Sequence, residues 1–250
     1  RTASVKAGLD LEMPHGEAGM EKLARDLQEG SVTEGELDVC VGRVLQLVQR
    51  LKEMGKGKEN RRSEAERAAA ARGIAEESIV LLKNNGVLPL EKGASLSVNG
   101  IYAKPDQTDY LSGGGSAAVR WLENTSDLPA ALTARGFSCV YEPAFGVSVI
   151  HSFKQNARTA ALNAAKSDVN IVCVGTGGRV EFEEGDRLSM RLSEVQERAI
   201  LDSAACNPNT VVIVFAGAAV DMSAWEDSVA AILYAGFPGM GGAEALADIL

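Results

Sequence analysis

The spacing of apolar residues divides the chain into a helical N-terminal part and a longer part in which strands and helices alternate. Between residues 37 and 51, apolar side chains recur every three or four positions, which predicts one face of an α-helix. Thr33 precedes this run and Glu36 follows three residues later, a spacing that predicts a capping box. We therefore interpret residues 1–54 as helical. Residues 55–63 have no such pattern and are interpreted as a linker.

A second helix is predicted from Ser63 to Asn84, because Ala and Glu, both good helix formers, dominate its first part. Its later part, Ile79 to Leu82, is continuously apolar, and we expect it to be deeply buried within this helix. The sequence Asn-Asn-Gly at residues 84–86 ends the run.

Beyond this helix, short apolar runs alternate with helical stretches. The later runs are almost continuously β-branched, as is typical of a parallel sheet that is covered on both faces. The alternation predicts the α/β class, as a three-layer α/β/α sandwich around a mostly parallel sheet. The predicted strands are 95–100, 138–143, 170–175, 210–217 and 230–236. The predicted helices are 126–135, 154–167, 193–205 and 241–250.

Composition and charge argue against several classes of partner. The net charge of -9 would repel nucleic acid, and no basic stripe offsets it. No apolar run reaches the roughly 20 residues that span a membrane, so we expect no membrane partner. The two histidines, His15 and His151, lie far apart and the four cysteines form no CxxC pair, so we expect no metal site.

Both ends of the chain lead us to expect a piece of a longer polypeptide. The N-terminal sequence lacks a starting Met and has the character of neither a signal peptide nor a transit peptide. The C-terminal sequence stops inside a predicted helix. Because the natural start is missing, cytoplasmic, periplasmic and secreted locations all fit the sequence.

Two glycine-rich segments lie beyond predicted strands, where ligands bind in open α/β sheets. Gly175 and Gly177 have the spacing of a dinucleotide turn, but Val180 stands where the third glycine is needed and an acidic loop follows. A flavodoxin-like nucleotide binder is therefore disfavoured.

The second glycine-rich segment consists of Gly113, Gly114, Gly115 and Ser116, and it lacks the Lys-Ser/Thr ending of a phosphate loop. Its simplest interpretation is a turn that needs positive φ or close backbone approach. These four residues are also candidates for lining a ligand cleft.

The densest charge cluster, EFEEGDR at residues 181–187, follows the third predicted strand. Carboxylates held together cannot all ionise freely, so the pKa of one of them rises. A raised carboxyl pKa suits a general acid near neutral pH, and glycoside hydrolysis needs such an acid together with a second carboxylate. An ordinary solvated loop is the alternative interpretation.

Several separate strings, in this order, closely resemble glycoside hydrolase family 3, which includes β-glucosidases, β-xylosidases and related exo-acting enzymes. The resemblance covers nearly the whole chain, and ESIVLLKNNGVLPL is more specific than a generic helix pattern. The strings are AGLDLEMP (7–14), AEESIVLLKNNGVLPL (75–90), GGGS (113–116), EEGDRLSMRLSEVQ (183–196), NPNTVVIVFAGAAVDMSAW (207–225) and ILYAGFPGMGGAEALADIL (232–250).

The resemblance implies a (β/α)8-type barrel followed by a six-stranded α/β/α sandwich, with the active site at their interface. Residues 1–54 then correspond to the C-terminal part of the barrel domain. Residues 64–250 correspond to most of the sandwich, truncated at its C-terminus. The missing barrel domain of the same polypeptide is the implied partner.

The resemblance also implies a retaining mechanism with two carboxylates. The family's nucleophile is an Asp in an SDW-like motif before the AGLDLEMP string. This chain contains no such motif, and Asp10 is not its equivalent. The chain alone is therefore expected to be inactive, because an acid without a nucleophile cannot form the covalent intermediate.

The family's acid/base is commonly a Glu on a sandwich loop written near EG-x-DR. Counting back from Asp186 and Arg187 without gaps indicates Glu183, whereas a one-residue deletion indicates Glu184. Here Gly185 directly precedes Asp186, a departure from the pattern that leaves both candidates open. Asp186 and Arg187 are expected to form a structural pair that supports the loop.

The function implied is part of a retaining exo-acting glycosidase that hydrolyses terminal non-reducing β-linked sugars. Its substrate would be a β-linked oligosaccharide or glycoside, and it would need no cofactor or metal. β-Glucosidase is the first expectation, followed by β-xylosidase and β-N-acetylglucosaminidase. The alternative from a different class is a non-catalytic α/β sugar-binding or interaction module.

Overall fold

The computed structural model separates into two compact units, Arg1–Arg61 and Arg62–Leu250. It describes residues 2–13, 17–55, 62–104, 125–144, 153–177, 180–181, 185 and 187–250.

The regular secondary structure of the first unit is helical in its described residues. It contains α1 (Thr2–Lys6), α2 (Glu17–Gln28) and α3 (Glu34–Gly55). The predicted capping box of α3 is confirmed: the backbone nitrogen of Glu36 donates to Thr33 Oγ1 at 3.2 Å. In return, the backbone nitrogen of Thr33 donates to Glu36 Oε2 at 2.8 Å.

The apolar face of α3 is largely open to solvent within the described part of the chain. Val41, Leu45 and Leu51 each expose more than half of their surface. A helix normally packs such a face against another element. The assignment of this unit to the end of a barrel domain stays a prediction.

The second unit begins with α4 (Glu64–Ser78), which is shorter than predicted. The predicted helix to Asn84 is wrong from Ile79 onward, where the backbone turns to an extended conformation. The chain continues as strand β1 (Val80–Asn84), and Val80, Leu81 and Leu82 are about half exposed, not deeply buried. Ladder hydrogen bonds to a distant strand outweigh helix propensity here, because an apolar, β-branched run suits either structure.

The sheet contains six strands in the described residues, in the order β1-β6-β5-β4-β2-β3. All neighbours pair in parallel except β1, which pairs antiparallel with β6. The predicted mostly parallel sheet is therefore confirmed. The remaining strands are β2 (Ser95–Asn99), β3 (Ser138–Glu142), β4 (Val169–Gly175), β5 (Thr210–Phe215) and β6 (Ala231–Tyr234). The helices that follow them are α5 (Leu128–Ala134), α6 (Phe153–Ala164), α7 (Glu194–Cys206) and α8 (Gly242–Ile249).

Helices cover both faces of this sheet, so the predicted three-layer sandwich is confirmed. On one face, Ile171 of β4 belongs to a core cluster with residues of α5 and α8, including Leu132 and Leu246. On the other face, Val172 of β4 belongs to a cluster with residues of α6 and α7, including Ile200. Burying each such side chain contributes roughly 1.5–3 kcal/mol.

A chain of buried polar side chains crosses the central strands. Asn99 Nδ2 donates to Asn170 Oδ1 at 2.6 Å, and Asn170 Nδ2 donates to Thr210 Oγ1 at 3.2 Å. The Thr210 hydroxyl donates to the carbonyl oxygen of Asn207 at 2.6 Å. Since buried polar groups are costly unless paired, this relay restricts how the three strands can align.

Candidate functional site

The chain leaves the adjacent strands β2 and β4 in opposite directions across the sheet. These strands are direct neighbours, but the chain continues from β2 to β3 on one side and from β4 to β5 on the other. Such a switch point is where ligands bind in open α/β sheets. Both segments singled out in the sequence follow these two strands along the chain: residues 113–116 follow β2 and residues 181–187 follow β4.

Glu181 is tightly held at this edge of the sheet. Its Oε2 atom accepts hydrogen bonds from the Thr176 hydroxyl at 2.5 Å and from the backbone nitrogen of Gly217 at 2.8 Å. Its Oε1 atom accepts from the backbone nitrogen of Ala218 at 3.1 Å. The carboxylate therefore links the loop after β4 to the turn after β5.

Arg187 completes this arrangement with the opposite charge. Its Nε atom lies 3.4 Å from Glu181 Oε1, and each of the two side chains exposes 13% of its surface. Its Nη2 atom donates to the carbonyl oxygen of Ala219 at 2.6 Å. Its Nη1 atom is buried and has no hydrogen-bond partner in the described residues. We call Thr176, Glu181, Arg187 and the turn at residues 217–219 the edge cluster.

Tyr234 supports the same turn from β6. Its hydroxyl lies 2.7 Å from the carbonyl oxygen of Ala216 and 2.8 Å from that of Ala218, so it donates one hydrogen bond to this pair. Burial raises the pKa of Tyr234, and the negative charge of Glu181 raises it further. The phenol is therefore held neutral, as a hydrogen-bond donor to these carbonyl oxygens needs to be.

The end of β4 is held by the side chain of Gln196, and it requires glycine at position 175. Gln196 of α7 accepts from the backbone nitrogen of Gly175 at 2.7 Å and donates to its carbonyl oxygen at 3.0 Å. A Cβ atom on Gly175 would lie 2.1 Å from the carbonyl oxygen of Phe215. Only glycine therefore lets β4 and β5 approach so closely where the acidic loop begins.

A second ion pair lies just beyond the acidic stretch. Arg191 donates through Nε to Glu197 Oε1 at 3.0 Å and through Nη2 to the other oxygen, and Glu197 is buried. This bidentate pairing with Glu197 raises the pKa of Arg191. The backbone of Arg191 also bridges to Asp221, so this pair joins the loop to the next turn.

Most of the predicted site residues lie outside the described residues. They are Glu183, Glu184, Asp186 and the segment Gly113, Gly114, Gly115 and Ser116. Their proposed roles stay predictions. Arg187 is described, and its ion-pair partner there is Glu181.

The sequence did not indicate the roles of Glu181, Thr176, Tyr234 and Gln196. Glu181 lies in the acidic stretch and was counted only as one of its charges. Two of its four partners are backbone N–H groups, which every residue except proline has. Only its position directly after a strand end could have distinguished it from the other carboxylates.

Two features are absent from the part of the chain that the structure describes. It contains no group of three or more His, Cys, Asp or Glu side chains that could hold a metal ion. None of its helices is both long and apolar enough to cross a membrane.

A mostly parallel six-stranded sheet with helices on both faces defines the class of this domain as a three-layer α/β sandwich. The model of the glycosyl hydrolase family 3 C-terminal domain matches residues 79–250, so the chain belongs to glycoside hydrolase family 3.

Curated relatives share the full length of the chain. It is 31% identical over all of its residues to thermostable beta-glucosidase B of Acetivibrio thermocellus, of which it covers 33%. It is 28% identical over its whole length to an exo-alpha-(1->6)-L-arabinopyranosidase of Bifidobacterium longum, of which it covers 34%. The chain therefore spans about a third of the length of these proteins.

Two solved structures are similar to nearly the whole of this chain and to about a third of their own chains. The Bifidobacterium adolescentis GH3 beta-glucosidase is similar with a TM-score of 0.80 and 26% identity, over 99% of this chain and 36% of that one. A GH3 exo-beta-xylosidase in complex with a xylobiose aziridine probe has a TM-score of 0.81 and 27% identity, over 99% of this chain and 32% of that one.

Proposed function

We propose that the chain is part of a retaining, exo-acting glycoside hydrolase that removes terminal non-reducing β-linked sugars. Family membership and relatives named as beta-glucosidases support this proposal. The proposed substrate is a β-linked oligosaccharide or glycoside. A β-glucoside is the first candidate, and the beta-xylosidase and arabinopyranosidase names among the relatives make pentosides the next to test.

The edge cluster is the observation that carries this proposal. Glu181 and Arg187 stand at the two ends of a five-residue stretch, 182–186, that contains both acid/base candidates. Their ion pair joins these ends at the carboxyl edge of β4, beside the switch point of the sheet. A general acid must be held within hydrogen-bond reach of the leaving oxygen, so a loop that bears one needs such anchors.

In the proposed mechanism, Glu183, or alternatively Glu184, donates its proton to the glycosidic oxygen as the bond to the anomeric carbon breaks. An Asp from the barrel part of the polypeptide attacks that carbon and forms the glycosyl-enzyme. The same Glu, now a carboxylate, takes a proton from water, which attacks the anomeric carbon and releases the sugar. The Asp nucleophile is regenerated with net retention.

The test uses the full-length polypeptide with Glu183→Gln and Glu184→Gln made separately. We expect one of them to lose about 10²- to 10⁴-fold in kcat/KM on a phenyl glycoside, whose leaving group needs protonation. The same variant should lose far less on a 2,4-dinitrophenyl glycoside. Azide should accelerate it by giving a β-glycosyl azide, because a small anion can attack without the missing base.

The control is Glu194→Gln, which changes an exposed carboxylate at the start of α7 and should leave both rates unchanged. If both loop variants keep normal turnover of the phenyl glycoside, the acid/base assignment is wrong. If the wild-type polypeptide hydrolyses no β-glycoside of a panel that includes glucosides, xylosides and arabinosides, the proposed function is wrong.

A further inference from the structure

The carboxylate of Glu181 is fully engaged within the protein. Each oxygen faces two donors: the Thr176 hydroxyl and the Gly217 nitrogen at Oε2, the Ala218 nitrogen and Arg187 Nε at Oε1. All four groups donate to the carboxylate, and the two backbone nitrogens and the guanidinium cannot accept a hydrogen bond. A carboxylate satisfies this arrangement, since both of its oxygens accept only.

The corresponding amide cannot satisfy it. In one orientation the NH2 group of a Gln side chain would face the Gly217 N–H, and in the other it would face the Ala218 N–H and Arg187 Nε, so each orientation leaves at least one donor unpaired. It would also leave the positive charge of Arg187, 13% exposed, without its carboxylate. The edge cluster therefore depends on the charge at position 181 and not only on the shape of the side chain.

The edge cluster holds the two residues that flank positions 182–186 in the sequence. Glu181 precedes these positions and is bonded to the turn after β5, whereas Arg187 follows them and is bonded to Ala219 of that turn. The two residues also pair with each other. Movement of Glu181 or of Arg187 along the edge therefore breaks contacts with a turn that follows another strand.

We infer that Glu181, together with Arg187, is a positioning residue for the acid/base of the proposed glycosidase, an inference that rests on the proposed function. Glu181 is not itself the proton donor, because its oxygens are occupied by four protein donors. It acts by holding the neighbouring stretch so that its carboxylic acid meets the leaving oxygen.

The test measures kcat/KM for a phenyl and a 2,4-dinitrophenyl glycoside in full-length Glu181→Gln. Protonation matters for the first substrate and little for the second, so a displaced acid should raise the ratio of the two rates. We expect kcat/KM for the phenyl glycoside to fall about 10- to 100-fold and that for the activated glycoside by less than about 3-fold. Azide should not accelerate the variant, because the acid/base remains present.

A double-mutant cycle tests whether the two residues act as a unit. Arg187→Met should raise the same ratio, and the double variant should raise it no further than either single variant, since each change already releases the stretch. Glu197→Gln is the matched control, because it breaks the ion pair with Arg191 in the same loop region. It should lower the melting temperature and leave the ratio of rates unchanged.

The outcomes separate this inference from the proposed function. If Glu181→Gln loses kcat/KM equally on both substrates, the ratio is unchanged and the loss reflects only a smaller folded fraction. That result, or no loss on either substrate, overturns the inference. Acceleration by azide would make Glu181 the acid/base and overturn it as well. If Glu197→Gln raised the ratio of the two rates as much as Glu181→Gln does, the effect would not be specific to Glu181, and the inference would be overturned. The proposed function fails separately, when the wild-type polypeptide hydrolyses no β-glycoside or when both acid/base variants are fully active.

Discussion

The carboxylate of Glu181 lies 2.8 Å from the backbone nitrogen of Gly217, 36 positions further along the chain. This contact joins the loops that leave two neighbouring parallel strands, β4 and β5, at their carboxyl ends. Such loops usually differ in mobility from the sheet beneath them. Here two backbone donors bind Glu181 and the carbonyl oxygen of Ala219 binds Arg187, so both residues are attached to the turn after β5.

Gly175→Ala should severely destabilise the second unit. The new Cβ atom would lie 2.1 Å from the carbonyl oxygen of Phe215, a backbone atom that cannot move without separating β4 from β5. We expect a loss of about 3 kcal/mol or more, measured by urea unfolding. The control is Gly73→Ala in α4, where no atom lies within 4 Å, and which should gain up to about 1 kcal/mol. Equal stability of the two variants would contradict this prediction.

Gly217→Ala should be tolerated much better, although it lies on the same edge. Its Cβ atom would approach the ring of Phe237 to 2.9 Å and Glu181 Oε2 to 3.4 Å. The ring is the far end of a rotatable side chain and can shift, and the Gly217 N–H that binds Glu181 remains. We expect a cost of about 1 kcal/mol, within the usual range for a single substitution. A loss as large as that of Gly175→Ala in the same urea experiment would show that Phe237 cannot move.

The contact between Asp168 and Ser95 should contribute stability that disappears in acid. Asp168 Oδ2 accepts from the backbone nitrogen of Ser95 at 2.8 Å and from its hydroxyl at 2.7 Å. These bonds lower the pKa of Asp168 in the folded state below its unfolded value of about 3.9. The stability is therefore fully present above about pH 4 and is lost as the pH falls through the folded pKa.

The measurement is the difference in unfolding free energy between the wild type and Asp168→Asn at several pH values. The wild type should be more stable at pH 7, and the difference should decrease as the pH falls below about 4. Asp202→Asn is a control, because the exposed Asp202 pairs with Arg198 one turn away on the surface of α7. A difference for Asp168→Asn that is the same at pH 7 and pH 2.5 would exclude this linkage.

Asn170→Ala should cost about 2 kcal/mol, because it removes the middle of the buried polar relay. Asn99 Nδ2 and the Thr210 hydroxyl would each lose a partner in a place that water does not reach. The exposed Asn209, which donates to the carbonyl oxygen of Asp168, is the matched control. Asn209→Ala should cost less than about 1 kcal/mol in the same unfolding assay. Equal losses would mean that burial of the relay adds nothing.

The sequence predicted the class of fold because its signals are local. Continuous β-branched runs at β4 and β5 favour strands that are covered on both faces, and the structure confirms both strands. The cap formed by Thr33 and Glu36 was readable for the same reason, since the interacting groups are three residues apart.

The segment at residues 79–84 shows where local signals fail. Its apolar run continues a good helix, and nothing within it distinguishes a buried helical turn from a strand. This segment forms a strand because its backbone pairs with that of β6 at residues 231–234. A contact between positions so far apart leaves no mark in the spacing of either segment.

The candidate site divides in the same way. By itself, the sequence determined that several carboxylates follow a buried parallel strand, because strand, loop and charge are adjacent along the chain. Only the tertiary structure decided that Glu181 anchors the loop, because its partners are the backbone nitrogens of Gly217 and Ala218 and the distant course of β5 brings them there. The sequence specifies which groups can form hydrogen bonds, whereas the fold determines which of these groups come into contact.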